Sequence, residues 1–520
     1  MTVFLSGPMG SGKSTLARAL AQGKRVVDLD AAIEARHGAS VGALFSTFGE
    51  RGFRVIERAM AFELLQHPPD VVALGGGTVT DREVRRALLR SGTLITLTAP
   101  IDVLVARIAG DRSRPLLERA GEDRARALAQ IVEARAEAYA ECHATLDTAE
   151  LDEARLVARA REIEAARPLL MPLGARSYPI FVGHGAASFL GERVAAIAPS
   201  SIVSVSDENT RTHAATVRTR VAPLGLPIVA VVLTPGETHK TLEAVEAIWD
   251  HALAARIDRR ALVIAVGGGV VGDVAGFAAA TLLRGIAFAQ IPTTLLAMVD
   301  ASVGGKTGFD RAEGKNLVGA FHQPRFVVCD LDVLRTLPER DYVSGLAEII
   351  KAAWLTGEAD VAALEHDVLA LRGRDPEALA AAIRRAIATK IAIVSEDESE
   401  LGIRAHLNLG HTLGHAIEAA TGYARTHGEC VALGLIAALR VGAALGDASA
   451  ADLDRVTRLV TGLGLPTDLD AALGAGDLAR FLAADKKRDA TRVRFVVPGC
   501  PGRVRLESLD PERILALARG

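Results

Sequence analysis

At 520 residues the chain is long enough for about three domains, each with a full core. Hydrophobic content of 49%, aromatics of 4% and a formal net charge of -3 describe an Ala/Val/Leu/Gly-rich globular protein with no electrostatic case for nucleic acid or a membrane surface. Cys142, Cys329, Cys430 and Cys500 show no CxxC spacing, which fits a reducing compartment and argues against a thiolate zinc site. A strand begins at once, without a basic start or cleavage site, so no signal peptide is expected and a cytoplasmic location is.

Thr2 to Ser6 reads as a buried strand and runs into Gly7-Pro-Met-Gly10-Ser11-Gly12-Lys13-Ser14-Thr15, followed by an apolar-periodic helix. That is a complete G-x-x-x-x-G-K-[ST] motif in its confirming context. The glycines let backbone N–H groups wrap a phosphate, Lys13 neutralises the terminal phosphates, and Ser14 can hold Mg²⁺. ATP binding follows. Asp28 and Asp30 close a second strand, one able to support Mg²⁺ and one to contact a hydroxyl acceptor. Arg54 and Glu57 share a helix face, and Gly75-Gly76-Gly77 ends a strand where backbone can press on a small ligand. Arg114, in a polar loop, and Arg135, on the next helix, can close over phosphates and a carboxylate.

In this order the set resembles shikimate kinase over the whole module. The resemblance implies that Asp30, Arg54, Gly75 to Gly77 and Arg135 bind shikimate and that Asp28 assists Mg²⁺. Gly10, Ser11, Gly12, Lys13, Ser14 and Thr15 would hold ATP, with Arg114 reaching the transferred phosphate from a lid. Lys13, Asp30 and Arg114 would then act in the chemistry, by position and charge. Gluconate kinase and its kin share the phosphate loop, but the Asp-x-Asp, Phe-Arg-x-x-Glu and Gly-Gly-Gly set favours shikimate.

A helical pattern from Glu150 to Arg167 is broken by Pro168, Pro172 and Gly174, which sets the first module at 1–167 and a linker at 168–176. A Rossmann-like α/β domain is expected over 177–330. After the strands ending at Ser206 and Leu233 come Asp207-Glu-Asn209 and Pro235-Gly-Glu237-Thr-His-Lys240, where α/β ligands sit. Ala261 to Leu283 is apolar enough to raise a membrane span, but Asp273 and its glycines favour a buried strand followed by a helix. Between them, Gly267-Gly268-Gly269-Val-Val-Gly272-Asp273 satisfies G-x-G-x-x-G, which suits a dinucleotide pyrophosphate. The acid expected about 20 residues on is missing, so a ribose contact would come from elsewhere, such as Asp207. Arg284, Lys306, Lys315 and Asn316, in Gly-rich loops, read as an anionic-substrate pocket.

Residues 331–520 read as nearly all helical, with long 3.6-period patterns. Here Asn408 to Glu429 places His411 and His415 at i, i+4 on one helix face, with His427 beyond a Gly422-Tyr423 break. Glu348 offers a carboxylate, with Lys351 a turn further on. Three histidines and an acid suit a catalytic divalent-metal site. Lys390, Glu400, Arg404 and Asn408 approach it, and Asp485-Lys486-Lys487 comes late.

The seven motifs from Pro235-Gly-Glu to His427-Gly-Glu match the 3-dehydroquinate synthase family in order, and the chain resembles that family over nearly the whole second module. The resemblance implies Zn²⁺ or Co²⁺ held by Glu348, His411 and His427, with His415 working beside the substrate phosphate instead of binding metal. NAD would be bound by Asp207, Asn209, Glu237, Lys240, the Gly267–Asp273 loop, Thr293, Thr294 and Thr336, with Lys306 and Lys315 nearby. The substrate, 3-deoxy-arabino-heptulosonate 7-phosphate, would be gripped by Arg284, Asp300, Lys306, Lys315, Asn316, Lys390, Arg404, Asn408, His415 and Lys486 or Lys487. Lys306, Lys390, Arg404 and His415 would carry the chemistry, an oxidation and re-reduction that leaves NAD unchanged while phosphate departs and a ring closes. A homodimer through this half is also implied. Asp341 replaces a usual Glu, Ala352-Ala353 a usual Tyr-Gly, and the Asp-Lys-Lys segment lacks its following Gly; none is a metal ligand.

The leading expectation is therefore a fusion of the two enzymes, both of aromatic-precursor synthesis. Alternatives are a gluconate kinase-like module joined to another sugar-phosphate cyclase or a polyol dehydrogenase, or a module reduced to ligand binding. The pocket of Lys306, Lys315, Lys390 and Arg404 favours a phosphorylated acid over glycerol.

Overall fold

The computed structural model describes residues 2–109, 123–311, 314–474, 478–484, 488–489 and 492–519. The chain divides into two compact units, Met1–Pro179 and Ile180–Gly520.

The first unit is built on a five-stranded parallel sheet in the order Val26–Asp28, Val71–Ala73, Thr2–Ser6, Gly92–Thr98, Ala144–Asp147. Thr2–Ser6 is central and buried along its whole length, as its unbroken apolar run predicts for a strand covered on both faces. It delivers the chain to the helix Lys13–Ala21 through a loop that only glycine permits at its first position. Gly7 sits at φ 132°, and a Cβ there would stand 2.2 Å from the Leu97 carbonyl oxygen. Asp28 ends its strand and caps the helix Leu29–His37, its Oδ1 accepting from the N–H groups of Asp30 at 3.1 Å and Ala31 at 3.3 Å. Asp30 therefore lies in the first turn of that helix and not at the strand's end. In the stretch expected as a linker, Leu169–Met171 is a strand and Gly174–Arg176 a 3₁₀ turn.

In the second unit a parallel sheet runs Tyr178–Gly183, Val327–Asp330, Ala287–Pro292, Leu262–Gly267, Ile202–Asp207, Ile228–Leu233. The apolar stretch from Ala261 resolves into the strand Leu262–Gly267 and the helix Gly269–Thr281, both inside the core. Two expectations need correction. Lys306, Lys315 and Asn316 are not in open loops but on an antiparallel hairpin, Lys306–Arg311 with Gly314–Phe321. The half after residue 331 is mostly helical, yet it also carries an antiparallel sheet of Arg488–Asp489, Arg492–Pro498 and Val504–Leu509. The Trp354 indole N–H donates to the Gly499 carbonyl at 3.2 Å, fastening this sheet to the helix Glu339–Thr356.

Among the described residues one helix, His427–Ala444, is long and apolar enough to cross a membrane, and it is mostly buried inside the fold. It is apolar on all sides because it forms the centre of the helical half. Two of its glycines let other backbone press against it. A Cβ on Gly428 would lie 1.8 Å from the Ser344 carbonyl oxygen, and one on Gly434 would lie 1.9 Å from that of Gly410. The helices Glu339–Thr356 and His411–Ala420 thereby reach the central helix at backbone distance.

Candidate functional site

In the first unit the phosphate loop sets Lys13 over the loop's own carbonyls, its Nζ donating to Gly7 at 2.9 Å and Pro8 at 3.0 Å. Ser14 Oγ donates to Asp28 Oδ2 at 2.6 Å, so the hydroxyl and the acid expected to share Mg²⁺ stand together. The glycine run faces a charged shelf. Arg54 donates to Glu57 at 2.6 Å, and Thr78 Oγ1 donates to the other oxygen of that carboxylate at 2.6 Å. A Cβ on Gly75 would meet Glu57, Asp30 and Thr78 within 3.0 Å, and one on Gly77 would strike the Arg54 guanidinium at 2.3 Å. Arg135 Nη1 donates to the Gly76 carbonyl at 2.8 Å, and Tyr139 OH donates to the same oxygen at 2.5 Å. Asp30, Arg54, Gly75, Gly76, Gly77 and Arg135 are thus brought together. Tyr139 and Thr78 were not anticipated; Tyr139 lies a turn beyond Arg135, the spacing at which two residues share a helix face. Arg114 lies outside the described residues.

In the second unit three helices converge on Glu348, which is 2% exposed. Its Oε1 is 3.2 Å from His411 Nε2 and 3.6 Å from His427 Nε2. Lys351 forms an ion pair with the same carboxylate. Among the described residues the two Glu348 oxygens meet only Lys351 and these two imidazoles. His411 Nδ1 donates to the Leu409 carbonyl at 3.1 Å, which leaves its Nε2 lone pair facing Glu348. On the far side of His427, Nδ1 is 3.6 Å from Glu418 Oε2. The nitrogens of His411, His415 and His427 lie within 4.8 Å of one another, and His415 is the exposed member. A buried carboxylate and imidazole nitrogens turned on one point, with carbonyl and carboxylate partners behind the rings, suit a divalent metal.

Electrostatics set the protonation of this cluster. Burial would raise the Glu348 carboxyl, but the Lys351 ammonium holds it well below the carboxylate range. Burial, with Lys351 beside it, lowers His411 and keeps it neutral. His427 is pulled down by burial yet raised to about 9 by the Glu348 and Glu418 carboxylates on either side of its ring. Glu418, against the effect of burial, is held at about 2 by His427 and Lys315.

Around the cluster the sheet edge and hairpin contribute polar groups. Lys240, 3% exposed, donates to Asp273 Oδ2 and Asn316 Oδ1, each at 2.6 Å. Gly268 caps the helix Gly269–Thr281, and a Cβ on it would stand 3.2 Å from Thr294. Thr293 Oγ1 is buried and has no hydrogen-bond partner among the described residues. Asp207 turns back on itself, its Oδ1 accepting from the Thr210 N–H at 2.9 Å, with exposed Asn209 in the turn. Thr336 Oγ1 is 2.9 Å from His213 Nε2, on the helix that follows.

On the other side, a wide π-type turn over Ala297–Ala301 presents Asp300. Its Oδ1 accepts from Lys390 at 2.7 Å and is 3.7 Å from Lys351, and these two cations outweigh burial and hold its carboxyl low. Arg404, 1% exposed, donates to the carbonyls of Gly304, at 2.8 Å, and Glu398. Glu400 accepts from Lys306 at 2.5 Å and from Asn408 at 3.0 Å. Lys315 donates to Glu418 at 2.9 Å and lies 3.3 Å from Glu237. Arg284 stands apart, exposed in its turn and in no ion pair among the described residues. Lys486 and Lys487 lie outside them.

Comparison with known proteins decides the family. Residues 230–344 match the 3-dehydroquinate synthase N-terminal family model and residues 345–488 the 3-dehydroquinate synthase C-terminal model. The 3-dehydroquinate synthase of Halorhodospira halophila is 46% identical over 328 residues, covering 62% of this chain and 91% of that protein. The chain belongs to the 3-dehydroquinate synthase family. Residues 9–164 match the shikimate kinase model, so a shikimate kinase domain precedes the synthase in the same chain. Among solved structures, 2-deoxy-scyllo-inosose synthase complexed with carbaglucose-6-phosphate, NAD⁺ and Co²⁺ is 26% identical with a TM-score of 0.61, covering 68% of this chain and 99% of that one. The 2-epi-5-epi-valiolone synthase of Streptomyces hygroscopicus subsp. jinggangensis, with NAD⁺ and Zn²⁺ bound, is 27% identical with a TM-score of 0.58, covering 65% and 95%. The synthase half therefore has the fold of sugar-phosphate cyclases.

Proposed function

We propose that the chain catalyses two reactions of aromatic-precursor synthesis. The kinase domain transfers phosphate from ATP to shikimate, and the synthase converts 3-deoxy-arabino-heptulosonate 7-phosphate to 3-dehydroquinate and phosphate. The observation that carries the second reading is Glu348. It is a buried carboxylate paired with Lys351, aimed at two imidazoles and ringed by cations that suit a phosphorylated acid.

Glu348, His411 and His427 would hold Zn²⁺ or Co²⁺. Asp207, Asn209, Glu237, Lys240, Gly267, Gly268, Gly269, Gly272, Asp273, Thr293, Thr294 and Thr336 would hold NAD; the orphaned Thr293 hydroxyl and the glycine-capped helix N-terminus support that placement. When bound there, the metal polarises a substrate oxygen and NAD takes up and returns a hydride. The protein supplies the rest. Lys306, Lys390 and Arg404 fix the phosphate and carboxylate, with Arg284, Lys315, Asn316, Asn408, Lys486 and Lys487 as further contacts. Asp300 anchors Lys390, and exposed His415 stands ready to exchange a proton beside the phosphate. In the kinase domain, Asp30, Arg54, Gly75, Gly76, Gly77 and Arg135 form the shikimate shelf. Gly10 to Thr15 cradle ATP, Ser14 and Asp28 hold Mg²⁺, and Arg114 neutralises the phosphate in transit. By the same family reading the synthase half pairs as a homodimer, which sedimentation of the full chain tests.

The decisive experiment supplies the heptulosonate phosphate and NAD to metal-loaded protein. Phosphate release with no net NADH, abolished in His411→Ala, is the expected result. NADH accumulating steadily from a polyol would make the second half a dehydrogenase. Shikimate-dependent ADP formation tests the kinase.

A further inference from the structure

Glu418 belongs to neither proposed ligand set, yet it is buried at 6% exposure in the middle of both. It lies on the helix His411–Ala420, on the face that carries His411 and His415, because i, i+4 and i+7 align on a helix. Its two oxygens are used separately. Oε2 is 3.6 Å from His427 Nδ1, the ring nitrogen turned away from Glu348. Oε1 accepts the 2.9 Å hydrogen bond from Lys315, whose Nζ also lies over the Tyr423 ring and 3.3 Å from Glu237.

We infer that Glu418 is a positioning residue that orients His427 for the metal and ties it to Lys315 on the hairpin. The inference rests on the metal reading above. The chemistry is that of a carboxylate behind a metal-bound imidazole. Standing beside Nδ1, the carboxylate favours the tautomer protonated there, which leaves Nε2 free as a ligand and makes that nitrogen a stronger donor. Partners of this kind are worth about 10–100-fold in metal affinity. Lys315 holds the carboxylate from its other side, so the hairpin that carries the anion-binding groups and the helix that carries His427 share one acid. An amide at this position keeps the shape but loses the charge, and it can turn an N–H toward His427.

The test is metal affinity of the full chain, measured by competition with a chelator for Zn²⁺, together with the visible spectrum of the Co²⁺-loaded protein. Wild type is expected to bind tightly. Glu418→Gln should bind about 10–100-fold more weakly and show a shifted Co²⁺ band, in metal-free protein that still unfolds in one cooperative transition. Glu418→Asp, which keeps the charge but cannot span both partners, should fall between the two and serves if the Gln variant does not fold. Tight wild-type binding with equal affinity and an unchanged spectrum in Glu418→Gln overturns the inference. Wild type that binds no metal overturns the metal reading itself, and this inference with it.

Discussion

The kinase domain leaves Ser14 and Thr15 of its phosphate loop exposed and buries Glu57 beneath Arg54, whereas the synthase sinks Glu348, Lys351, Lys390, Arg404, His411 and Glu418 into its interior. The first site offers backbone N–H groups and cations at the carboxyl end of its sheet, where they stay partly solvated. The second assembles charges that only other charges, carbonyls or a metal can satisfy. Removing one member of a buried set leaves its partner uncompensated, which costs far more than losing an exposed pair. The synthase site should therefore be the more brittle of the two, and the domains should fail independently.

Glu348→Ala gives the largest separation. It removes a proposed metal ligand and strands Lys351, so dehydroquinate formation should fall by more than the 10–100-fold cost of an outer partner, and unfolding of the synthase should become easier by about 3–5 kcal/mol. Shikimate phosphorylation by the same protein should be unchanged; a parallel loss there would refute independence. Lys13→Met is the reciprocal experiment. It should lower kinase turnover by about 10²–10³-fold, the usual cost of one donor to developing charge, with no change in chelator-measured metal affinity.

Gly434→Ala tests the packing beneath the brittle site without touching its charges. The added methyl meets the Gly410 carbonyl, next to His411, and should cost about 1–3 kcal/mol in the denaturation midpoint of the synthase while weakening metal binding. The smallest effect concerns acid. The Asp300 carboxyl is held below its unfolded value by Lys390 and Lys351, so it contributes stability that is present above an unfolded pKa of about 3.9 and disappears as pH falls below it. Asp300→Asn should flatten that acid limb in a series of midpoints taken against pH.

Much of this was legible along the chain because it depends on local geometry. A phosphate loop needs Gly7 at positive φ between a strand and a helix, and a three-glycine run lets Arg54 and Glu57 lie against bare backbone; both requirements are written in consecutive residues. The histidines at i, i+4 were equally plain. The hairpin of Lys306–Arg311 with Gly314–Phe321 was not, because glycines inside a strand pair read as loop when the partner strand is unknown. The closing antiparallel sheet was hidden amid helical patterns.

By itself, then, the sequence determined two modules, their families and the residue types of each site, since motif spacing follows from short-range backbone and helix geometry. Only the tertiary structure decided that Glu418 stands between His427 and Lys315, that Tyr139 and Arg135 share the Gly76 carbonyl, and that Asp300 gathers two lysines. Those contacts join residues on different helices, strands and turns, and no local propensity specifies them; in the synthase, glycines such as Gly428 and Gly434 let whole helices close to backbone distance.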